Sequence, residues 1–248
     1  MPPAVTIESN ALAEPLRIGA VPWKTVGILM VLAVGSFFVD EIVSTVLRAV
    51  DLPGDVDQEL LSLQQFGQIG SLILITCVIC LAQPPAIRRS LLDLGLAVLI
   101  ASQIALQGKI LIGRVRPAFG SPDEFHGLFT SGTSELSWSQ IASMPSSHTM
   151  AAAVLATWIA MVYPRLRPIG FVLVAIVGIS RIRFGNHWPS DVLVGAAIGF
   201  LVGGVVIGRL LGTRLLDVLW RLCVDRNASP AAPDVAEVIR SRNERSKA

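Results

Sequence analysis

The chain's 248 residues are 52% hydrophobic and only 15% charged, whereas an average soluble domain is roughly one-quarter charged. This excludes an ordinary soluble domain, and a formal net charge of +2 is too small to mark a nucleic-acid surface, so no nucleic-acid partner is expected. The apolar residues fall in runs that approach the ~20 residues needed to cross a bilayer, separated by polar or Pro-containing stretches, which predicts one all-α membrane bundle rather than several domains.

In chain order, residues 1–22 are mixed and Pro-containing and read as an N-terminal cytoplasmic tail. The first apolar run follows Trp23 and Lys24, too late and with the wrong flanks for a typical cleaved signal peptide. Candidate spans at 26–39, 67–82, 91–112, 149–163, 168–179 and 189–211 predict a six-helix membrane domain over 23–224. Cys77 and Cys80 lie three apart on one face of the second run and Cys223 lies just beyond the last. That is helix packing rather than a disulfide framework or a zinc site. Gly195, Gly199 and Gly203 repeat every four residues on one face of the sixth span, a spacing that lets two helices approach closely in lipid, so this helix is expected at the centre. After Asp225 the chain turns polar and Ala/Pro-containing; residues 225–248 are expected to form a flexible cytoplasmic tail with almost nothing to bury.

The short loops set an orientation. Arg88 and Arg89 lie between spans two and three, Arg165 and Arg167 between four and five, and Arg209, Arg214 and Arg221 follow span six. The first loop instead carries Asp40, Glu41, Asp51, Asp55, Asp57 and Glu59 against Arg48. The basic side is then cytoplasmic, with both termini inside. Lys109, Arg114, Arg116, Arg181 and Arg183 break this rule by falling at the opposite face, so they need another reason to be there.

Three clusters share that outer face, beside a long outer loop over 119–143. Lys109 and Arg116 are seven residues apart, almost two helical turns, so both project from one helix face and can flank an anion; Pro117 then discourages the helix from continuing. Pro145, Ser146, Ser147 and His148 open the fourth span, where first-turn N–H groups suit a phosphate and an imidazole beside it can give and take a proton near neutrality. Ser180 and Arg181 precede His187 and Asp191, which lie four apart at the head of the sixth span with Pro189 between them. In that register a carboxylate can hold one ring nitrogen and leave the other free to attack. His126 matches no part of the pattern and reads as a solvated loop residue, and Arg114 and Arg183 are weaker site candidates.

Lys109-x6-Arg116-Pro117, Pro145-Ser146-Ser147-His148 and Ser180-Arg181-x5-His187-x3-Asp191 resemble the three-part signature of the type 2 phosphatidic acid phosphatase (PAP2) superfamily. One position departs from it, since Ser147 stands where the motif usually has Gly. The resemblance implies a six-helix bundle and a phosphatase needing no metal and no cofactor. It makes His187 the nucleophile, Asp191 its orienter and His148 the general acid and then base. Lys109, Arg116, Ser146, Ser147 and Arg181 would hold the phosphoryl oxygens. The implied substrate is a lipid phosphate or pyrophosphate drawn from the surrounding membrane lipids: phosphatidic acid, phosphatidylglycerol phosphate and polyprenyl pyrophosphate all fit. A phosphotransferase built on the same site stays open as an alternative, and less so an anion transporter. The sequence sets no oligomeric state.

Overall fold

The structure, a computed structural model, describes residues 17–128 and 136–245. Residues 1–16 of the expected N-terminal tail, 129–135 of the outer loop and 246–248 of the expected C-terminal tail lie outside the described residues. Among the described residues the regular elements are all helices, apart from one isolated bridge between Arg114 and Phe125.

Helix α1 (Trp23–Ser36) meets α2 (Asp40–Ala49) at an 88° bend. The first apolar run therefore stops short of its expected end. Asp40 and Glu41 supply negative charge to the first turn of α2, where a helix N-terminus favours it. Helix α3 (Gly54–Leu63) passes through a 3-10 turn at Gln64–Gly67 into α4 (Ile69–Ala82). Helix α5 (Pro85–Ile112) opens with a proline in its first turn and ends at Gly113, whose φ of 58° is the left-handed cap that a residue without Cβ adopts freely. After the short α6 (Trp138–Ile141) come α7 (Ser147–Val162), α8 (Arg167–Arg183), α9 (Pro189–Val206), α10 (Leu211–Cys223) and α11 (Ala232–Arg245).

Among the described residues, α5 and α9 can each cross a membrane by length and composition, and up to four crossings result if each bent pair of helices is one span. The six expected spans are not all met on those grounds, because α1, α4, α7 and α8 run only 14, 14, 16 and 17 residues.

The central place of α9 follows from its small residues. Its most apolar window is 72% buried, against 17% for that of α5, and its glycine stripe lies directly on α7. A Cβ on Gly195 would fall 2.5 Å from the carbonyl oxygen of Ser146, and one on Gly199 would fall 2.3 Å from that of Met150. Ala152, Ala153, Ala156, Ala196 and Ala197 fill the rest of this seam, with Val26 of α1 and Val174 and Val177 of α8 closing around it.

Two buried carboxylates fasten the end of the bundle away from Lys109. Asp93 of α5 accepts the N–H and hydroxyl of Thr213 at the start of α10 at 3.0 and 2.7 Å. Asp217 of α10 accepts the N–H groups of Ala231 and Ala232 at 2.8 and 3.0 Å, capping α11. The expectation of a flexible tail over 225–248 is corrected here for residues 232–245. They form α11, whose Val235, Ala236 and Ile239 are buried in the same core as Leu94, Ala97 and Trp158. The expectation of packed cysteines is also corrected at Cys77, which is a free, exposed thiol like Cys223.

Candidate active site

The three clusters converge at one end of α5, α7 and α9. α5 runs toward this end, while α7 and α9 start from it, so Lys109 meets the first turn of α7: its Nζ donates to Ser147 Oγ at 3.1 Å. Arg116, just past the Gly113 cap, donates to Asn186 Oδ1 and to the carbonyl of Ala142, both at 3.4 Å. Arg181, in the last turn of α8, is buried and donates to Gln64 Oε1 at 3.0 Å. Arg116 Nε, Arg181 Nε and His148 Nε2 are all buried with no hydrogen-bond partner among the described residues. Buried polar groups are normally paired, so the two arginine N–H groups call for an acceptor, and the His148 nitrogen beside them for a group to share a proton with.

His187 lies in the loop between α8 and α9, with its side chain 1% exposed. Its backbone N–H bonds to the carbonyl of Arg181 at 3.2 Å, which folds the loop back on the end of α8. Its Nδ1 is 2.6 Å from the carbonyl oxygen of Ser143. A carbonyl only accepts, so Nδ1 carries the proton and Nε2 is left with its lone pair. Burial, and then the nearby Arg181, Lys109 and Arg116, hold the imidazolium well below its ordinary titration range, so the ring is neutral. Burial also lowers the pKa of Arg116.

Asp191, expected to hold this ring directly, has its Oδ2 3.9 Å from His187 Nδ1. Its carboxylate is engaged elsewhere: Oδ2 accepts from Ser143 Oγ at 2.5 Å and from the Trp188 N–H at 2.9 Å, and Oδ1 accepts from Arg114 Nη1 at 2.8 Å. Asp191 thus reaches the ring through Ser143. Ser146, also expected to face the anion, is fully buried and already bonded. Its N–H goes to the Asp191 carbonyl at 3.1 Å and its Oγ pairs with Thr149 Oγ1 at 3.0 Å. Six of the expected residues, Lys109, Arg116, Ser147, His148, Arg181 and His187, form the cluster itself, while Ser146 and Asp191 stand behind it.

Sequence reasoning ranked Arg114 as a weak candidate and read Asp40 only as a loop charge. Both are fully buried and joined by an ion pair at 2.8 Å. The available signal was their placement: an arginine on the acidic side of the membrane, and an aspartate directly closing an apolar run. Ser143 and Gln64 gave no such signal. Arg183 lies in an ion pair with Asp57 at 2.5 Å and donates to the carbonyls of Leu47 and Val50, so it fastens α3 to α8. His126 is half-buried.

Decaprenylphosphoryl-5-phosphoribose phosphatase of Mycobacterium tuberculosis is 34% identical over 159 residues, covering 63% of this chain and 81% of its own length. Lipid A 1-phosphatase of Rhizobium etli is 37% identical over 94 residues, 37% of this chain and 38% of its own. Undecaprenyl-diphosphatase BcrC of Bacillus subtilis is 46% identical over 81 residues, 32% of this chain and 37% of its own. The chain thus spans well under two thirds of the length of the lipid A 1-phosphatases it matches. Among solved structures, Aquifex aeolicus LpxE superposes with a TM-score of 0.56 at 22% identity, covering 68% of this chain and 94% of that one. A transmembrane phosphatidylglycerolphosphate phosphatase from Bacillus subtilis gives 0.51 at 23% identity, covering 76% and 94%. Both show a shared fold. The sequence profile of the PAP2 superfamily matches residues 90–215, a stretch that holds all three clusters from Lys109 to Asp191, and the chain belongs to that superfamily.

Proposed function

We propose that this protein is a membrane phosphatase that hydrolyses the phosphomonoester or pyrophosphate of a lipid through a phosphohistidine on His187. The observation that carries the reading is the fixed ring of His187, with Nδ1 held by the Ser143 carbonyl so that Nε2 keeps its lone pair, beside the nitrogens of Arg116, Arg181 and His148 that have no partner among the described residues. Nε2 attacks phosphorus, the bond from phosphorus to the lipid oxygen breaks, and that oxygen takes a proton from His148. Water then attacks the phosphohistidine, its proton passes to His148, the bond from Nε2 to phosphorus breaks and inorganic phosphate leaves. Lys109, Arg116 and Arg181 neutralise the transferring group, the task that dominates phosphoryl transfer. A lipid substrate is supported by the relatives named above and by an apolar cavity of about 400 Å³ beside the site, lined by Thr149, Ile182, Pro189, Val192, Ala196 and Phe200 among others.

The test is a panel of phosphatidic acid, phosphatidylglycerol phosphate and a polyprenyl pyrophosphate, offered to the purified protein with phosphate release measured. At least one is expected to turn over in excess EDTA and to be blocked by vanadate. Loss of turnover on chelation with recovery in magnesium rejects the metal-free route, and phosphorylated acceptor in place of free phosphate identifies a transferase.

The reading includes six crossings, by α1, α4, α5, α7, α8 and α9, and an outward-facing site. Large apolar side chains left open on α1 and α4, such as Val31 at 73%, Leu74 at 66% and Leu81 at 91% exposure, support contact with lipid. Arg88 and Arg89 begin α5, and Arg165 follows α7, so these arginines sit at the helix ends opposite the site. With native cysteines replaced, a cysteine at Asp123 is expected to react with an impermeant maleimide in intact cells. Protection until lysis reverses the topology.

A further inference from the structure

Behind the reacting groups lies a second, fully buried charge assembly that the mechanism above does not use. Arg114 Nη2 donates to Asp40 Oδ2 and its Nη1 to Asp191 Oδ1, each at 2.8 Å, with every side chain in both pairs at 0% exposure. Ser190 closes the ring. Its hydroxyl accepts from Arg114 Nη1 at 2.7 Å and donates to Asp40 Oδ2, and its N–H donates to Asp40 Oδ1 at 2.9 Å. The remaining Nε of Arg114 donates to the Pro122 carbonyl at 2.9 Å, and the guanidinium lies 4.9 Å from the ring of Phe37 and 5.7 Å from those of Phe125 and Trp188. All of its charged nitrogens are engaged and its faces are walled by aromatic rings, so it has one geometry.

The assembly sets two carboxyl groups against one guanidinium, and Asp191 reaches toward His187, its Oδ2 3.9 Å from Nδ1. When Nε2 bonds to phosphorus the ring gains positive charge, and a fixed negative group behind it is worth most where water is excluded. The 88° bend between α1 and α2 is what brings Asp40 under α9. We propose that Arg114 and Asp40 are positioning residues for the transfer. Asp40 fixes Arg114, Arg114 fixes Asp191, and Asp191 acts through the Ser143 hydroxyl on the segment whose carbonyl holds His187. This rests on the phosphatase reading given above.

The experiment is a mutant cycle on the full chain in detergent micelles, with phosphatidic acid as substrate and thermal unfolding of each variant measured alongside. Asp40→Asn and Arg114→Lys are each made alone and in an Asp191→Asn background. Each single change is expected to lower kcat on the order of 10- to 100-fold, the range seen when a group that orients a reacting side chain is lost, with KM nearly constant. In the Asp191→Asn background the same change is expected to add less than about threefold, because groups acting through one another are not additive. Full additivity overturns the proposal, as does unchanged kcat in a folded Asp40→Asn variant. Should Arg114→Lys fail to fold, the nearly isosteric Asp40→Asn decides alone.

A second readout needs no turnover. The chain has three histidines, so the Nδ1–H signal of His187 in 15N-histidine-labelled protein is identified by its loss in His187→Gln. Asp40→Asn is expected to shift it, and an unmoved signal overturns the proposal. Absence of phosphate release by the unaltered protein on every lipid would reject the phosphatase reading, while this signal still reports whether Asp40 governs the ring.

Discussion

Replacing His187 with Ala is expected to abolish both phosphate release and covalent labelling by the substrate phosphate, a loss on the order of 10⁵-fold or more, as when the nucleophile of a covalent mechanism is removed. His148→Ala should behave differently. A lipid alkoxide is a poor leaving group and needs the proton of His148, but p-nitrophenolate departs without one. With p-nitrophenyl phosphate the His148 variant should still label His187, and the intermediate should then accumulate, because its hydrolysis also needs His148 as base. Rapid quench is expected to show a burst followed by slow turnover. Normal lipid turnover by the His148 variant, or label on His148, would reverse the two roles. Asp191→Asn is expected to keep the ring's tautomer, because the Ser143 carbonyl sets it at 2.6 Å. The rate lost there comes from the charge behind the ring.

The second large effect concerns the seam beneath the site. Gly199→Val puts a branched side chain where even a Cβ would stand 2.3 Å from the Met150 carbonyl and 2.7 Å from Ala153 Cβ. The Met150 carbonyl is helix backbone and cannot yield, so α7 and α9 must part, at a cost of about 3 kcal/mol or more, the upper range for overpacking. The variant is expected to lose its folded, monodisperse peak on size exclusion or to unfold at much lower temperature. Gly95→Val on α5 is the control, since a Cβ there meets nothing within 4 Å among the described residues. Equal damage from both would show that the seam is not what matters.

The legible parts of this protein were those written locally. Lys109 with Arg116, Ser147 with His148, and Arg181 with His187 each lie close together in sequence around one helix end, although α5 stops at Ile112, so Arg116 does not share a helix face with Lys109 as its spacing suggested but reaches the site from beyond the Gly113 cap. The glycine stripe was legible for the same reason. Illegible were the pairings across long stretches of chain. Nothing near Asp40 in sequence says that it meets Arg114 and Ser190, 74 and 150 residues later. A buried carboxylate also looks like any other until its partner is known. The ring of His187 was expected to rest on Asp191 because helical spacing offered that contact, but a backbone carbonyl, which no side-chain pattern records, stands in between. The segment after Asp225 looked empty because its overall polarity hid Val235, Ala236 and Ile239, whose spacing makes one apolar helix face, and because the cap that starts it comes from Asp217 on another helix.

The three cations at the site bond only to uncharged acceptors among the described residues: Lys109 to a hydroxyl, Arg116 to an amide oxygen and a carbonyl, Arg181 to an amide oxygen. The acidic residues of the neighbourhood are spent on Arg114 and Arg183 instead. An arriving dianion therefore has no salt bridge to dissolve before it docks, and trades neutral hydrogen bonds for charge-assisted ones about twice as strong. The same bias acts on departure. Inorganic phosphate, left behind with no carboxylate waiting to reclaim the guanidinium groups, is expected to inhibit competitively, which product-inhibition kinetics with added phosphate would check.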